Sequence, residues 1–475
     1  MKSKSNISVE AGEARFGAGF ASGADELRAM TALEAGIREG VPASRFKGAL
    51  VDSLSPRRRR WLADRIEAAD TGLKLRLFHY TGVATGDVRW MDRAFEALYG
   101  TMLADAASDL GIGPDARIAM DRHEVLLPLR VNWAGGWSDV APYCTERGGT
   151  VLNAAILLNG ALPVRVSLTR LDQRRIVLES ADMGARQVFD SLGPLQRADD
   201  AGDPLALHKA ALMASGVVPM RGGEMEDLLA RLGGGFALRT EVTGVPSGSG
   251  LGTSCILSAA CIKALYEFMG LDFSAETVYG RVMTAEQLMS TGGGWEDQIG
   301  ALWPGVKYLS SKPGMTQRVR VQTLSLSGET LSELRRRYTL IYTGQRRQTR
   351  RILRDVMGGY LGNEPEVVRA LAEIQRVAAS MRVELERGHV DEFARLMSHH
   401  WELSKQMDSG SSNARIERIF EVADDLLDGR MCVGSGGGGF LQVMLKPDAD
   451  RDRLAGLLRE TLGDAGVAVW DCEIV

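Results

Sequence analysis

At 475 residues the chain exceeds what a single hydrophobic core usually serves, so two or three packed units are expected. Hydrophobic residues make up 45% and charged residues 25%, a composition that excludes a disordered or fibrous chain. The formal net charge of -4 excludes a general attraction to nucleic acid or to an anionic membrane, which leaves a small molecule as the expected partner.

The N-terminal residues 1–120 read as a helical accessory region, with apolar positions at helical spacing in Ala24–Ile37, Trp61–Ala69 and Trp90–Ala107. The polar start Met1–Asn6 leads into no apolar segment, and nowhere is there an uninterrupted apolar run of about 18 residues. A soluble, unexported protein is therefore expected. Arg57–Arg60 behind Pro56 read as the solvated first turn of a helix rather than a binding patch.

From His123 the texture becomes β-branched and alternating, and Glu124–Asn132, Leu162–Thr169, Arg175–Glu179 and Phe236–Val242 are predicted strands. Thr253–Met269 lacks Gly and Pro and is dense in Ala, Leu, Ile and Cys, which predicts a largely buried helix; a second helix is predicted over Ala275–Ser290. Beyond residue 310 come a predicted strand Thr339–Tyr342, helices Glu366–Glu386, Val390–Ser404 and Asn413–Leu427, a strand Phe440–Lys446, then a helix over Asp450–Leu462 and a closing strand within Val467–Val475. This order predicts two mixed halves, 121–310 and 311–475. The five cysteines, Cys144, Cys255, Cys261, Cys432 and Cys472, show no zinc-like spacing, so reduced thiols in a cytoplasm are expected.

Glycine accounts for 55 residues, clustered at 244–252, 292–294 and 434–439. Pro246-Ser247-Gly248-Ser249-Gly250-Leu251-Gly252-Thr253-Ser254 follows a predicted strand and runs into the predicted helix. Such a turn lets backbone amides approach an anion, and the helix start adds unpaired N–H groups and a positive dipole end. The segment is neither a Walker A loop, having no Gly-Lys-Ser/Thr, nor a dinucleotide fingerprint.

Gly292-Gly293-Gly294-Trp295-Glu296-Asp297-Gln298 forms a second constellation, after Thr291 and with Glu286 upstream on a predicted helix. Phosphoryl transfer needs a metal to neutralise phosphate charge and a group to orient or deprotonate the attacking hydroxyl. Glu286 with Ser254 suits the first task and Asp297 the second, although alone either acid also reads as a helix-surface charge. In Arg130-Val131-Asn132-Trp133-Ala134-Gly135-Gly136-Trp137-Ser138-Asp139 a strand ends in two glycines, an aromatic and an acid. Trp137 against a sugar's apolar face with Asp139 accepting from its hydroxyls is one reading, and a core Trp beside a turn Asp is the other. Gly434–Gly439 reads equally as a ligand-approaching loop and as a flexible turn.

These segments, in this order, resemble the three motifs of the GHMP kinase superfamily (galactokinase, homoserine kinase, mevalonate kinase, phosphomevalonate kinase), and Pro246–Ser254 is similar to its second motif nearly residue for residue. Arg130, Gly135–Asp139, Pro142-Tyr143 and Gly148-Gly149, with Gly292–Gln298 and Tyr342-Thr343-Gly344 followed by Thr349-Arg350, resemble the fucokinase branch. The resemblance covers roughly residues 121–475. It implies an α+β fold with a ribosomal-S5-like half and a ferredoxin-like half, ATP and Mg2+ as cofactors, and transfer of the γ-phosphate to a sugar hydroxyl, the anomeric one expected.

Residue by residue, the resemblance implies that Asp297 is catalytic and steadied by Arg130, and that Ser254 with Glu286 holds the metal. The amides of Gly248–Ser254 would cradle the phosphates. Gly136, Trp137, Asp139, Gly436 and Gly437 would face the sugar. Asn132, Ala141 and Cys255 depart from the branch's pattern, leaving L-fucose, a heptose or another unusual sugar open as substrate. The first 120 residues are too few for the nucleotidyltransferase that precedes the kinase in bifunctional fucokinases. Arg346, Arg347, Arg350 and Arg351 read either as an addition to the phosphate field or as an exposed helix face. A non-sugar alcohol kinase and a non-catalytic binding regulator on the same fold are the rival readings.

Overall fold

A computed structural model describes residues 24–50, 55–107, 116–290, 292–346, 349–463 and 466–475. Thr291 and Arg347, singled out in the sequence, lie outside the described residues, as do the side chains of Arg350 and Arg351.

The N-terminal unit runs to Thr101 and includes residues 354–369 from far along the chain. Its helices are α1 (Ala24–Arg38), α2 (Pro56–Glu67), α3 (Thr71–Thr85) and α4 (Val88–Ala107), the last extending beyond the unit. Ser55 caps α2 with Pro56 in its first turn, as the run before the arginines suggests, and Asp70 caps α3 by accepting from the Leu73 amide at 3.1 Å. The late segment is tied in by polar contacts: Arg76 donates to the Leu361 carbonyl at 3.2 Å, and Glu364 accepts from the Ser44 amide at 2.9 Å.

The second unit holds 102–353 and 370–475. In chain order its elements begin with β1 (Arg122–Leu127), β2 (Leu129–Ala134), α5 (Tyr143–Arg147), β3 (Thr150–Leu158), β4 (Val164–Leu171), β5 (Ile176–Ser180), β6 (Ala185–Phe189), α6 (Ala206–Ala214), α7 (Met225–Leu232) and β7 (Gly235–Val242). There follow α8 (Thr253–Phe268), α9 (Ala275–Leu288), α10 (Glu296–Leu302), β8 (Val306–Ser311), β9 (Val319–Thr323), α11 (Gly328–Arg337) and β10 (Tyr338–Tyr342). The chain ends with α12 (Thr349–Leu361), α13 (Pro365–Arg387), α14 (Val390–Met407), α15 (Ala414–Ala423), β11 (Leu427–Cys432), β12 (Phe440–Leu445), α16 (Arg451–Leu462), β13 (Ala468–Trp470) and β14 (Cys472–Ile474), with α12 and α13 each passing between the units.

The strands form three sheets, ordered β1-β4-β7-β5-β6, β14-β3-β8-β9 with β2 also on β3, and β11-β12-β10-β13. One strand predicted over Glu124–Asn132 is in fact two. Pro128 has no N–H to give to a ladder, so β1 pairs with β4 and β2 with β3 in different sheets. The helix predicted over Asn413–Leu427 stops at Ala423, and Leu427 opens β11 instead. Gly429 there lies so close to α14 that a Cβ would sit 2.6 Å from the Ala394 carbonyl oxygen.

In β2 the ladder shifts between Asn132, opposite Asn153, and Ala134, opposite Leu152, so Trp133 is an extra residue. Its ring is buried and meets Tyr338 and Phe393 edge-on at 5.6 and 5.1 Å. Arg130 and Asn132 use the strand's other face. Gln442 of β12 joins the sheets by donating to the Asn132 carbonyl at 2.6 Å while accepting from the Tyr338 hydroxyl at 2.6 Å. Lys307, fully buried, donates to the carbonyls of Gly300, Trp303 and Gly305 at 3.1, 2.8 and 2.7 Å, closing the end of α10; burial draws its ammonium down to about 7. Among the described residues no helix is long and apolar enough to cross a membrane.

Candidate active site

A cavity of about 430 Å³ opens in the second unit where the glycine loop, the ends of β2 and α9, and the start of α10 meet. The glycine loop is shaped by positive φ at Gly248, Gly250 and Gly252, +72°, +88° and +73°, which residues with a Cβ rarely adopt. Gly252 is also the N-cap of α8, and no side chain caps that end. The first amides of a 16-residue helix are thus left for a ligand. Ser247–Gly250 and Gly252–Cys255 line the cavity. Pro246 and Leu251 do not, and Leu251 is fully buried.

Arg130 of β2 joins two walls of the cavity. Its Nε and Nη2 both donate to Asp297 Oδ1, at 2.7 and 2.5 Å, and its Nη1 donates to the Gly250 carbonyl at 2.9 Å. One guanidinium therefore holds the acid of α10 and the glycine loop at once. Burial alone would lower the Arg130 guanidinium, but the charges of Asp297 and Glu296 outweigh it and raise it. Two glycines admit this packing, since a Cβ on Gly300 would meet Arg130 Cβ at 2.6 Å and one on Gly252 would meet the Asp297 carboxyl at 3.0 Å.

Trp137 lines the cavity in a left-handed conformation, φ +82°, strained for a tryptophan. Ser138 closes this turn by donating to the Gly135 carbonyl at 2.6 Å and accepting from the Thr150 amide at 3.0 Å. Asp139 accepts from the Glu296 amide at 3.2 Å, and Gly294 must be glycine because a Cβ would fall 1.9 Å from Asp139 Oδ2. Burial, with the Asp297 charge adding to it, pushes the Asp139 carboxyl up to about 7. Burial and the Asp139 charge likewise push Glu296 well up, against the pull of Arg130.

Glu286 on α9, 2% exposed, lines the cavity with Ser254. A carboxylate and a hydroxyl are hard oxygen donors of the kind magnesium takes, and that ion usually keeps waters and substrate phosphates as its other ligands. Among the described residues no group of three or more His, Cys, Asp or Glu could hold a metal. Cys255 beside them has its thiol pushed well up by burial, so it packs and does not attack.

Gly436 and Gly437 are not brought to the cavity, which is lined instead by Gly434 and Ser435. Both press on the chain beneath: a Cβ on Gly436 would lie 2.3 Å from the Ser411 carbonyl oxygen, to which Gly437 donates at 2.6 Å. Sequence reasoning also missed several lining residues, Glu296 and His400 among them. Glu296 was hidden beside the more conspicuous Asp297, and the glycines around it were the only local signal. His400 of α14 accepts from the Gly135 amide at 3.0 Å, from 265 residues away, with nothing in the sequence to link them. Burial lowers His400 to about 4, so a neutral ring presents Nε2 as the acceptor.

A family model described as the GHMP kinases N terminal domain matches residues 223–305, the stretch that carries the glycine loop, Glu286 and Asp297. Residues 223–305 thus carry a GHMP kinases N-terminal domain. The α+β GHMP kinase fold expected from the sequence is present: the structure of Lactococcus lactis galactokinase complexed with galactose superposes with a TM-score of 0.57 at 14% identity, covering 80% of this chain and 97% of that one. Among curated relatives, the chain is 37% identical over 338 residues to the bifunctional fucokinase/GDP-fucose pyrophosphorylase of Arabidopsis thaliana, covering 71% of this chain and 31% of the relative. It is 26% identical over 336 residues to the D-glycero-alpha-D-manno-heptose 7-phosphate kinase of Campylobacter jejuni, covering 70% and 92%. The chain thus spans about a third of the length of the plant relative.

Proposed function

We propose that this chain transfers the γ-phosphate of ATP to a sugar hydroxyl, the anomeric one, to give a sugar 1-phosphate. The observation that carries the reading is the Arg130 guanidinium gripping Asp297 and the Gly250 carbonyl together, which puts an oriented carboxylate beside an uncapped helix start. The fucokinase and heptose 7-phosphate kinase relatives support a sugar as acceptor.

In this reading the amides of Gly248–Ser254 hold the triphosphate. Glu286 and Ser254 would hold Mg2+, which offsets charge on the phosphates. Asp297 accepts the proton of the attacking hydroxyl, and Arg130 aims that carboxylate through its two hydrogen bonds. Trp137 and Asp139 position the sugar, with His400 fixing the turn that bears them. Residues 121–310 carry the phosphate-binding half and 311–475 the second half. The five cysteines are buried and form no disulfide among the described residues, which suits a reducing cytoplasm.

The test is ADP release with ATP and Mg2+ across L-fucose, D-arabinose, galactose, mannose, heptoses and heptose 7-phosphate, with mevalonate and homoserine as controls. Turnover on a sugar with silence on both controls is expected. Turnover on a control alone, or ATP and sugar binding without turnover, overturns the reading.

A further inference from the structure

The cavity holds a polar pair that the phosphoryl-transfer roles leave unused. Asn132, 3% exposed on β2, and Glu296, 7% exposed at the start of α10, both line it. Asn132 Nδ2 donates to Glu296 Oε2. With the amide nitrogen committed to the acid, Asn132 Oδ1 is turned away from it, and this oxygen is buried with no hydrogen-bond partner among the described residues. A buried acceptor left unpaired is costly, so in a pocket wall it asks for a donor from a ligand. The Gly136 backbone seals the other side of the pair, since a Cβ there would lie 2.2 Å from Asn132 Nδ2 and 3.6 Å from Glu296 Oε2. The Glu296 amide is already given to Asp139, and Glu296 Oε1 lies 3.6 Å from Arg130 Nη2. The pair is therefore anchored on every side except that of Asn132 Oδ1.

We infer that the Asn132–Glu296 pair is a specificity determinant for the acceptor: Glu296 fixes the amide orientation so that Asn132 Oδ1 accepts a hydrogen bond from one sugar hydroxyl other than the reacting one. This rests on the sugar-kinase reading. It separates two tasks, since Asp297 serves the reacting hydroxyl while Asn132 reads a neighbour. Glu296→Gln should undo the arrangement. The new amide can donate to Asn132 Oδ1 and consume the acceptor, or face Asn132 Nδ2 with its oxygen and leave the orientation unfixed. The exchange Asn132→Asp with Glu296→Gln rebuilds it with reversed polarity: the introduced glutamine amide donates to one oxygen of the introduced aspartate, and the other oxygen is left to accept.

The experiment measures, by calorimetry with a non-hydrolysable ATP analogue present, the affinities of the wild type, Glu296→Gln, Asn132→Asp/Glu296→Gln and Asn132→Leu for the best-bound sugar of the panel and each of its monodeoxy analogues. ADP release is followed separately. In the wild type one deoxy analogue should bind about 10-fold or more weaker than the parent. That discrimination should fall to about 3-fold or less in Glu296→Gln and Asn132→Leu, and return in the double exchange, whose recovery also shows that the fold is intact. Equal discrimination in all four proteins, or a double exchange no better than Glu296→Gln alone, overturns the assignment. Sugar binding without ADP release would defeat the kinase reading and still leave the pair judged by its affinities. A wild type that binds none of the panel sugars defeats both.

Discussion

Asp297 and Asp139 sit in one cavity about a single guanidinium, yet they carry different burdens. Asp297 is held by two Arg130 hydrogen bonds and is the proposed proton acceptor, so Asp297→Asn should lower the rate of phosphoryl transfer by about 10²–10⁴-fold while ATP affinity changes little. Single-turnover kinetics beside nucleotide titration checks this, and a near-normal rate would remove Asp297 from the role. Asp139 is an acid whose folded form is pushed up, to about 7, from an ordinary value near 4. The contribution of its protonated form to stability is complete below about pH 4 and lost as pH rises through about 7. Asp139→Asn should therefore match the wild type in melting at pH 4 and exceed it at pH 8 by roughly 2–4 kcal/mol, with sugar binding weakened throughout. Gly294→Ala probes the same carboxyl from outside: its Cβ, 1.9 Å from Asp139 Oδ2, would push the acid aside and raise the KM for sugar about 10-fold or more, with the KM for ATP nearly constant.

Several elements were legible because their signals are local. The glycine loop and the helix after it could be read from Pro246–Met269, since clustered glycines and helix starts declare themselves within a few residues, whereas Glu286 and Asp297 taken alone also read as helix-surface charges. The split at Pro128 was also written in the sequence, by a residue with no N–H, but the alternating texture on both sides obscured it. What stayed hidden depends on distant partners: β11, buried by a backbone approach at Gly429; the placement of Gly436 and Gly437 on Ser411; and His400 as the acceptor behind Gly135. Lys307 belongs to this second group, because its three acceptors exist only once α10 and β8 have formed. Lys307→Met would leave those carbonyls without their donor, and a loss of about 1–3 kcal/mol in unfolding free energy is expected from denaturant melts.

At the scale of the molecule, the fold class was accessible because the motif order carried it, and the curated relatives and the structure agree with that reading. The composition of the N-terminal unit was not accessible. Nothing in residues 354–369 announces that Val356, Met357, Tyr360 and Leu361 are buried in the same unit as the first helices, because such a partnership spans hundreds of residues and leaves no periodic trace. A chain lacking residues 1–101 should accordingly melt at lower temperature and aggregate, as measured by scanning fluorimetry and light scattering, since it bares those four side chains.

The last strand has a bearing on biosynthesis. β14 pairs with β3 in the sheet that also holds β2, and Asn159 Oδ1 accepts from the Asp471 amide across 312 residues. A nascent chain can form α8 and its glycine loop early, but the edge of β3 stays open until residues 472–474 have left the ribosome. Until then the sheet beneath Arg130 offers an unpaired strand, so the interval between making the site and closing it is when this protein is most exposed to misassembly.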